Sequence, residues 1–269
     1  MNIIETVIAA RMRYVVVLSA LFALFAVPMC SQNKDMPAKH DRVIITIVTI
    51  KPDMRMDFEN MIKNDYNAAV AKGGGKWSDV WMPANFGNTF DYVFVAPFDG
   101  YAQFDGMSPL MKGLGKDGAA GFYAKAGRMV SNVHGAAYDV REDLSYDTKM
   151  AGPPKLAVVT FTSVAPGRAS EYENFIKNEM LPVVKKSDIG GWFTQRLLFG
   201  GDVNEFVTIA LHENFAELEK GPPSMRVLGQ DGSMKLMQKL GSGVVVHQER
   251  IVARYVPELS YRPAVSLTK

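Results

Sequence analysis

Cysteine is nearly missing from this chain of 269 residues, which carries one, Cys30. A single thiol excludes an intrachain disulfide framework, so the fold has to rest on core burial. Histidine is scarce too, with His40, His134, His212 and His247 and no pair at helical or short-loop spacing. That excludes a recognisable His or Cys/His metal cluster, and no metal site is expected. Neither sign of charge dominates: 30 Lys and Arg against 28 Asp and Glu leave a net charge of +2. The chain therefore lacks the electrostatic footprint of a nucleic-acid partner. There is no P-loop, dinucleotide fingerprint, nucleophile elbow or Ser/His/Asp order. The glycine run "KGGGK" (72–76) reads as a helix end.

Long apolar runs are absent except at the N-terminus, where "YVVVLSALFALFAV" spans Tyr14–Val27 after Arg11 and Arg13. Its length suits a signal peptide and is short for a membrane span. Residues 1–30 are therefore expected to be a leader, with translation beginning at Met12 as an alternative because Glu5 is unusual in a positive leader start. Residues 31–40 read as a polar linker. In "VPMCSQ", Val27 suits a lipoprotein signal while Pro28 and Met29 do not, so lipidation at Cys30 stands as an alternative to plain export. The expected localisation is periplasmic or secreted, lipid-anchored in that alternative, with no transmembrane span in the mature chain.

What is present is a repeat. "LGKDG" (114–118) and "LGQDG" (228–232) stand 114 residues apart, and at the same shift "FENMIKNDYNAAVAK" (58–72) falls on "YENFIKNEMLPVVKK" (172–186). Matching this long at constant offset is duplication. It divides the chain into a first repeat at 41–146, a linker at 147–155 ("DTKMAGPPK"), a second repeat at 156–262 and a tail at 263–269.

Each copy switches hydrophobic period in the same order. The β-branched runs "VIITIVTI" and "LAVVTFTSV" predict strands. Phe58, Met61, Ile62, Ala69 and Val70, with Tyr172, Phe175, Ile176, Val183 and Val184, predict helices, the second kinked at Pro182. Two hairpins follow, then second helices over about 118–128 and 233–240, and last strands over 130–140 and 244–255. Asp117 and Asp231 are expected to cap those second helices. The order is β-α-β-β-α-β twice, an α+β fold of two tandem ferredoxin-like repeats. On the first strands Ile45, Ile47, Val159 and Phe161 are expected to pack on helices. Thr46, Val48, Thr160 and Thr162 would line a semi-polar interior where two antiparallel sheets face each other.

In these elements the chain resembles the dimeric α/β barrel superfamily in a tandem, single-chain form, over most of residues 41–262. NIPSNAP-like and antibiotic-biosynthesis-monooxygenase-like proteins belong to that superfamily, and the resemblance is one of fold only. It implies a monomer with an internal pseudo-dimer, open to higher oligomers, and does not choose between enzyme and binder. Some members of the superfamily hold haem through a histidine on the helical layer; no histidine falls in the helices predicted here, so no cofactor is expected.

Aromatic residues with a few polar ones supply the candidate pocket: Trp77, Trp81, Tyr92 and Phe94 in the first copy, then Trp192, Gln195, Phe206 and Thr208 in the second. His212 ends a strand in register with Phe206, Thr208 and Ala210 and could act as a base beside Arg196 and Tyr92, the three catalytic candidates. The function expected is binding of a small, partly apolar molecule between the sheets. Two alternatives stand beside it. One is a cofactor-independent monooxygenase or isomerase; the other is a structural or envelope-interaction protein with a filled barrel.

Overall fold

The period-2 runs and the 3.6-period runs become strands and helices where expected, in a computed structural model that describes residues 41–148 and 154–263. The apolar run at 14–27, Cys30 and most of the linker lie outside the described residues. In chain order the elements are β1 (Arg42–Ile50), α1 (55–72), β2 (Asp79–Pro83), β3 (Asp91–Phe98), α2 (Pro109–Met129), β4 (Val130–Val140) and a short β5 (Tyr146–Asp147). Then come β6 (Leu156–Val164), α3 (169–184), β7 (Gly191–Phe199), β8 (Glu205–His212), a one-turn α4 (Ala216–Glu219), α5 (Pro223–Gln238) and β9 (Val245–Tyr255).

The strands run β4-β1-β3-β2-β9-β6-β8-β7, and β4 pairs with β7 to close the ring as an antiparallel barrel. Closure removes the free edges that an open sheet would expose. The two seams match: Trp81 lies opposite Tyr255 where β2 meets β9, and Gln195 lies opposite Val140 where β7 meets β4. The ladders also match within the halves, since Thr46 sits between Phe94 and Gly135 while Thr160 sits between Thr208 and Arg250.

Side-chain alternation gives each strand an inner and an outer face. The assignment of those faces reverses the expectation. Ile45, Val159 and Phe161 point inward and join Val43, Tyr138, Leu197 and Val207 in a core inside the barrel. Val48 and Val158 point outward and pack on helices. β-branching alone could not decide between the faces, because Thr and Val suit a strand equally well on either side. The half-polar rows of β6 and β8 thus lie under helices.

α1 and α3 each contain a π-helical turn at the same place, Ile62–Tyr66 and Ile176–Met180. Pro182 falls just after the second of these turns, inside α3, at a place where the ordinary α-helical ladder is already shifted. The second helices are longer than predicted. α2 begins at Pro109, where Ser108 Oγ accepts from the Met111 N–H at 3.3 Å, and α5 begins at Pro223. Each is broken by a glycine in a conformation reserved for glycine, Gly115 at φ 72, ψ 172 and Gly229 at φ 69, ψ 178. Asp117 and Asp231 therefore do not cap the helix starts; they lie exposed in the first turn after each break, and Ser108 caps α2. The repeated pentapeptide encodes the break.

Candidate functional site

A cavity of about 430 Å³ lies in the second half, between the outer face of its strands and the helices α3 and α5. Its floor comes from Val158 and Thr160 on β6, Thr208 and Ala210 on β8 and Val252 on β9; its roof includes Tyr172, Met180, Leu240 and the Gly221–Ser224 turn. The volume falls within the range of small-molecule sites, and the lining is mostly apolar with a few polar groups, as such sites are. This cavity is under the helices, not between the two sheets, because the outer face is the one that carries the small polar residues.

The equivalent place in the first half is occupied by aromatic rings. Tyr66 packs against Phe94 at 6.0 Å and Phe122 at 6.1 Å between ring centroids, and Phe58 meets Phe94 at 6.4 Å. At the 114-residue shift Tyr66 becomes Met180, Phe94 becomes Thr208 and Phe122 becomes Leu236. The helices also stand differently. A Cβ on Gly113 of α2 would meet the Ala69 carbonyl oxygen of α1 at 1.9 Å, so these backbones touch; the second half carries Val227 and Val183 there, and their side chains forbid the same approach.

Polar groups stand at the cavity's two ends. His212 ends β8, is 3% exposed, and has Nδ1 3.4 Å from Glu217 Oε2 without hydrogen-bond geometry. Burial, then the Arg226 charge, push its pKa below the usual histidine range against the opposing pull of Glu217, so the imidazole is neutral at neutral pH. Trp192 Nε1 is buried with no hydrogen-bond partner among the described residues. Such an orphaned donor costs about 1–3 kcal/mol unless something accepts from it. Overhead, Ser224 and Ser233 hydroxyls pair at 2.6 Å across the break in α5, where the first half has Leu110 and Ala119. At the opposite end Arg250 Nε donates to Thr160 Oγ1 and Gln248 Nε2 to Thr162 Oγ1, both at 3.1 Å.

The residues singled out from sequence scatter over three places. His212, Trp192 and Thr208 line the cavity. Phe206 lies just beneath, its ring tilted against that of Tyr172 at 4.9 Å between centroids, with the Arg196 guanidinium 5.6 Å from its ring centroid and paired to Glu173 at 3.3 Å. Trp81, Gln195 and Trp77 belong to the barrel's inner side, Trp81 against Tyr255 at 5.2 Å and Gln195 buried with Oε1 unpartnered among the described residues. Tyr92 and Phe94 fill the first half, where the Tyr92 hydroxyl donates to Glu59, and burial raises its pKa. His212, Arg196 and Tyr92 thus do not converge: Arg196 is spent on Glu173 and Phe206, and Tyr92 belongs to the other half.

Sequence reasoning missed Tyr172, Met180, Gln248 and Arg250. A signal was available in the sequence aligned on itself at the 114-residue shift, where bulky residues of the first half fall on smaller or polar ones of the second. Among the described residues no group of three or more His, Cys, Asp or Glu could hold a metal ion, and no helix is long and apolar enough to cross a membrane. The cavity's helices carry no histidine; His212 approaches from a strand.

No family model and no curated protein matches the sequence. Solved structures match the fold. A putative monooxygenase from Lactobacillus acidophilus aligns with a TM-score of 0.56 at 12% identity, covering 83% of this chain and 96% of its own. A putative monooxygenase from Fusobacterium nucleatum gives 0.55 at 13%, with 84% and 99% covered. An anthrone oxidase-like protein gives 0.54 at 9%, with 82% and 92% covered. At such identities the likeness is one of fold, and with the closed antiparallel ring it gives this chain the architecture of the dimeric α/β barrel proteins.

Proposed function

We propose that the chain binds a small, largely apolar molecule bearing a hydrogen-bond acceptor in the cavity of its second half. The observation that carries this reading is a lined cavity of about 430 Å³ holding a buried indole N–H without a partner among the described residues and a buried neutral imidazole. The matching ladders and equal offsets support reading the two halves as ferredoxin-like repeats of one ancestral unit, one packed solid as scaffold and the other opened as a site. Export is part of the same reading and rests on the apolar run at 14–27; fractionation of cells, with N-terminal sequencing of the recovered chain, tests it.

Calorimetry with a panel of bicyclic and tricyclic aromatics tests binding. Saturable binding at micromolar concentration that Thr208→Phe removes supports the reading, and heats indistinguishable from buffer across the panel sink it.

One observation favours a cofactor-independent monooxygenase: the neutral imidazole of His212 sits where it could take a proton from an activated phenol or anthrone. The structures described as monooxygenases and anthrone oxidase-like share the fold, and that alone does not transfer an activity. Oxygen uptake with anthrone and quinol substrates, lost in His212→Ala with binding retained, would establish it; binding without uptake would leave a carrier.

A further inference from the structure

We infer that the cavity's ligand carries an anionic group, read at the cavity mouth by Arg250 with Gln248; this rests on the binding reading above. The first reason is the charge of the lining. Among the residues that line the cavity Arg250 is the single permanent cation, and there is no Asp or Glu. Here the guanidinium is anchored by Nε on a neutral hydroxyl, Thr160 Oγ1 at 3.1 Å, and no ion pair to its terminal nitrogens is formed among the described residues. One nitrogen fixes the plane, and the other two are left to fork onto a planar acceptor pair, the geometry in which arginine holds carboxylates.

The second reason is that both positions at this end of the cavity differ from their counterparts on β4. Arg250 and Gln248 occupy the rungs that Gly135 and Val133 hold on β4, opposite Thr160 and Thr162 as those two are opposite Thr46 and Val48. The filled half has no polar side chain in either place. Placing a cation and an amide only beside the open cavity is what recognition of an anion requires, and packing does not require it.

The third reason is position. Arg250 and Gln248 are exposed, while His212 and Trp192 sit deeper on β8 and β7. Strand spacing and rise put Arg250 and His212 about 16 Å apart between Cα atoms across the floor. A charged group held at the mouth keeps part of its hydration, so it avoids the full cost of burying an ion. The apolar body then lies over Val158, Ala210 and Thr208. The ligand class is accordingly an apolar, ring-sized carboxylate or comparable anion.

Paired isosteric probes test this in the full chain: 2-naphthoate and the neutral ketone 2-acetylnaphthalene, titrated by calorimetry at neutral pH. The expected result is naphthoate bound at least about tenfold more tightly, about 1.4 kcal/mol. Arg250→Met should level the two probes, and Arg250→Lys should keep part of the preference with naphthoate weakened. Arg250 is exposed, and an unchanged unfolding temperature verifies that each variant folds. Equal affinity for both probes in the parent protein overturns the anion inference and leaves the binding reading standing. A naphthoate preference that survives in Arg250→Met also overturns it. Binding of neither probe, nor of any neutral aromatic in the wider panel, overturns the cavity reading itself and the inference with it.

Discussion

Phe94 and Thr208 stand on the same rung of two matching ladders, Phe94 opposite Thr46 on β1 and Thr208 opposite Thr160 on β6. The ring of Phe94 packs against Phe58 and Tyr66 on α1; Thr208 lies on the floor of a cavity of about 430 Å³. This strand position is one of those at which the two halves differ in the bulk they place under the helices.

Restoring the ring should close the site. Thr208→Phe places a side chain in existing space, so stability should move by less than about 1.5 kcal/mol while ligand affinity falls at least about thirtyfold. The mirror variant, Phe94→Thr, opens a void that nothing fills and should cost about 3–5 kcal/mol with ligand binding unchanged. Chemical denaturation and calorimetry read both effects.

How far this was legible in sequence depends on the residue. The strands, the helices and their order follow from hydrophobic period, and the repeated "LGKDG" and "LGQDG" exposed the offset. Which face of β6 turns inward does not follow, since Val159, Thr160 and Phe161 are all good strand residues and only barrel closure assigns them. The cavity went unrecognised for the same reason. Its floor is set by Thr160 and Thr208, its width by Val183 and Val227 against Ala69 and Gly113, and its mouth by Arg250 beside a strand end that reads as solvent-exposed. Aromatic residues drew attention instead, and most of them mark filled space: Tyr92, Phe94 and Phe206 are core.

Gly113 should tolerate no side chain. A Cβ there would meet the Ala69 carbonyl oxygen at 1.9 Å, a backbone atom that cannot swing away. Gly113→Val should force α1 and α2 apart and destabilise the protein by about 3 kcal/mol or more. Circular dichroism melts would show it. Val227→Ala, at the matching place in α5, should cost about 1–2 kcal/mol, since its helix already stands clear.

Acid should destabilise the protein through His212. The pKa of His212 lies below the unfolded value because burial and Arg226 oppose its charge, against the pull of Glu217 and Asp188. The unfolded chain therefore takes up a proton first as pH falls. The stability contributed by the neutral imidazole is present above about pH 6.5, the unfolded value, and is lost as pH falls below it. His212→Asn should flatten the stability profile between pH 7 and pH 5, measured by urea unfolding at each pH. At the alkaline end the sign is reversed. Tyr92 and Tyr138 have raised pKa values, from burial first and then from Glu59 and Glu205, so stability should fall as pH rises past about 10, the unfolded tyrosine value.

The helix breaks give the most direct test of backbone strain, because space is not at issue. A Cβ on Gly115 or Gly229 would meet nothing within 4 Å, yet φ is 72 and 69 with ψ near 180, a region essentially closed to other residues. Gly121 lies in the same helix with equally open surroundings and no positive φ. Gly121→Ala should thus stabilise by about 0.5–1 kcal/mol through helix propensity, while Gly115→Ala and Gly229→Ala should each destabilise by about 1–3 kcal/mol. The two breaks should then differ in function. Gly229 lies between Ser224 and Ser233, whose hydroxyls pair at 2.6 Å over the cavity, so straightening α5 there should weaken ligand binding several-fold. Straightening α2 at Gly115 should leave binding as it was, since the first half holds no part of the described cavity. Equal losses of affinity in the two variants would show that the halves act as one unit.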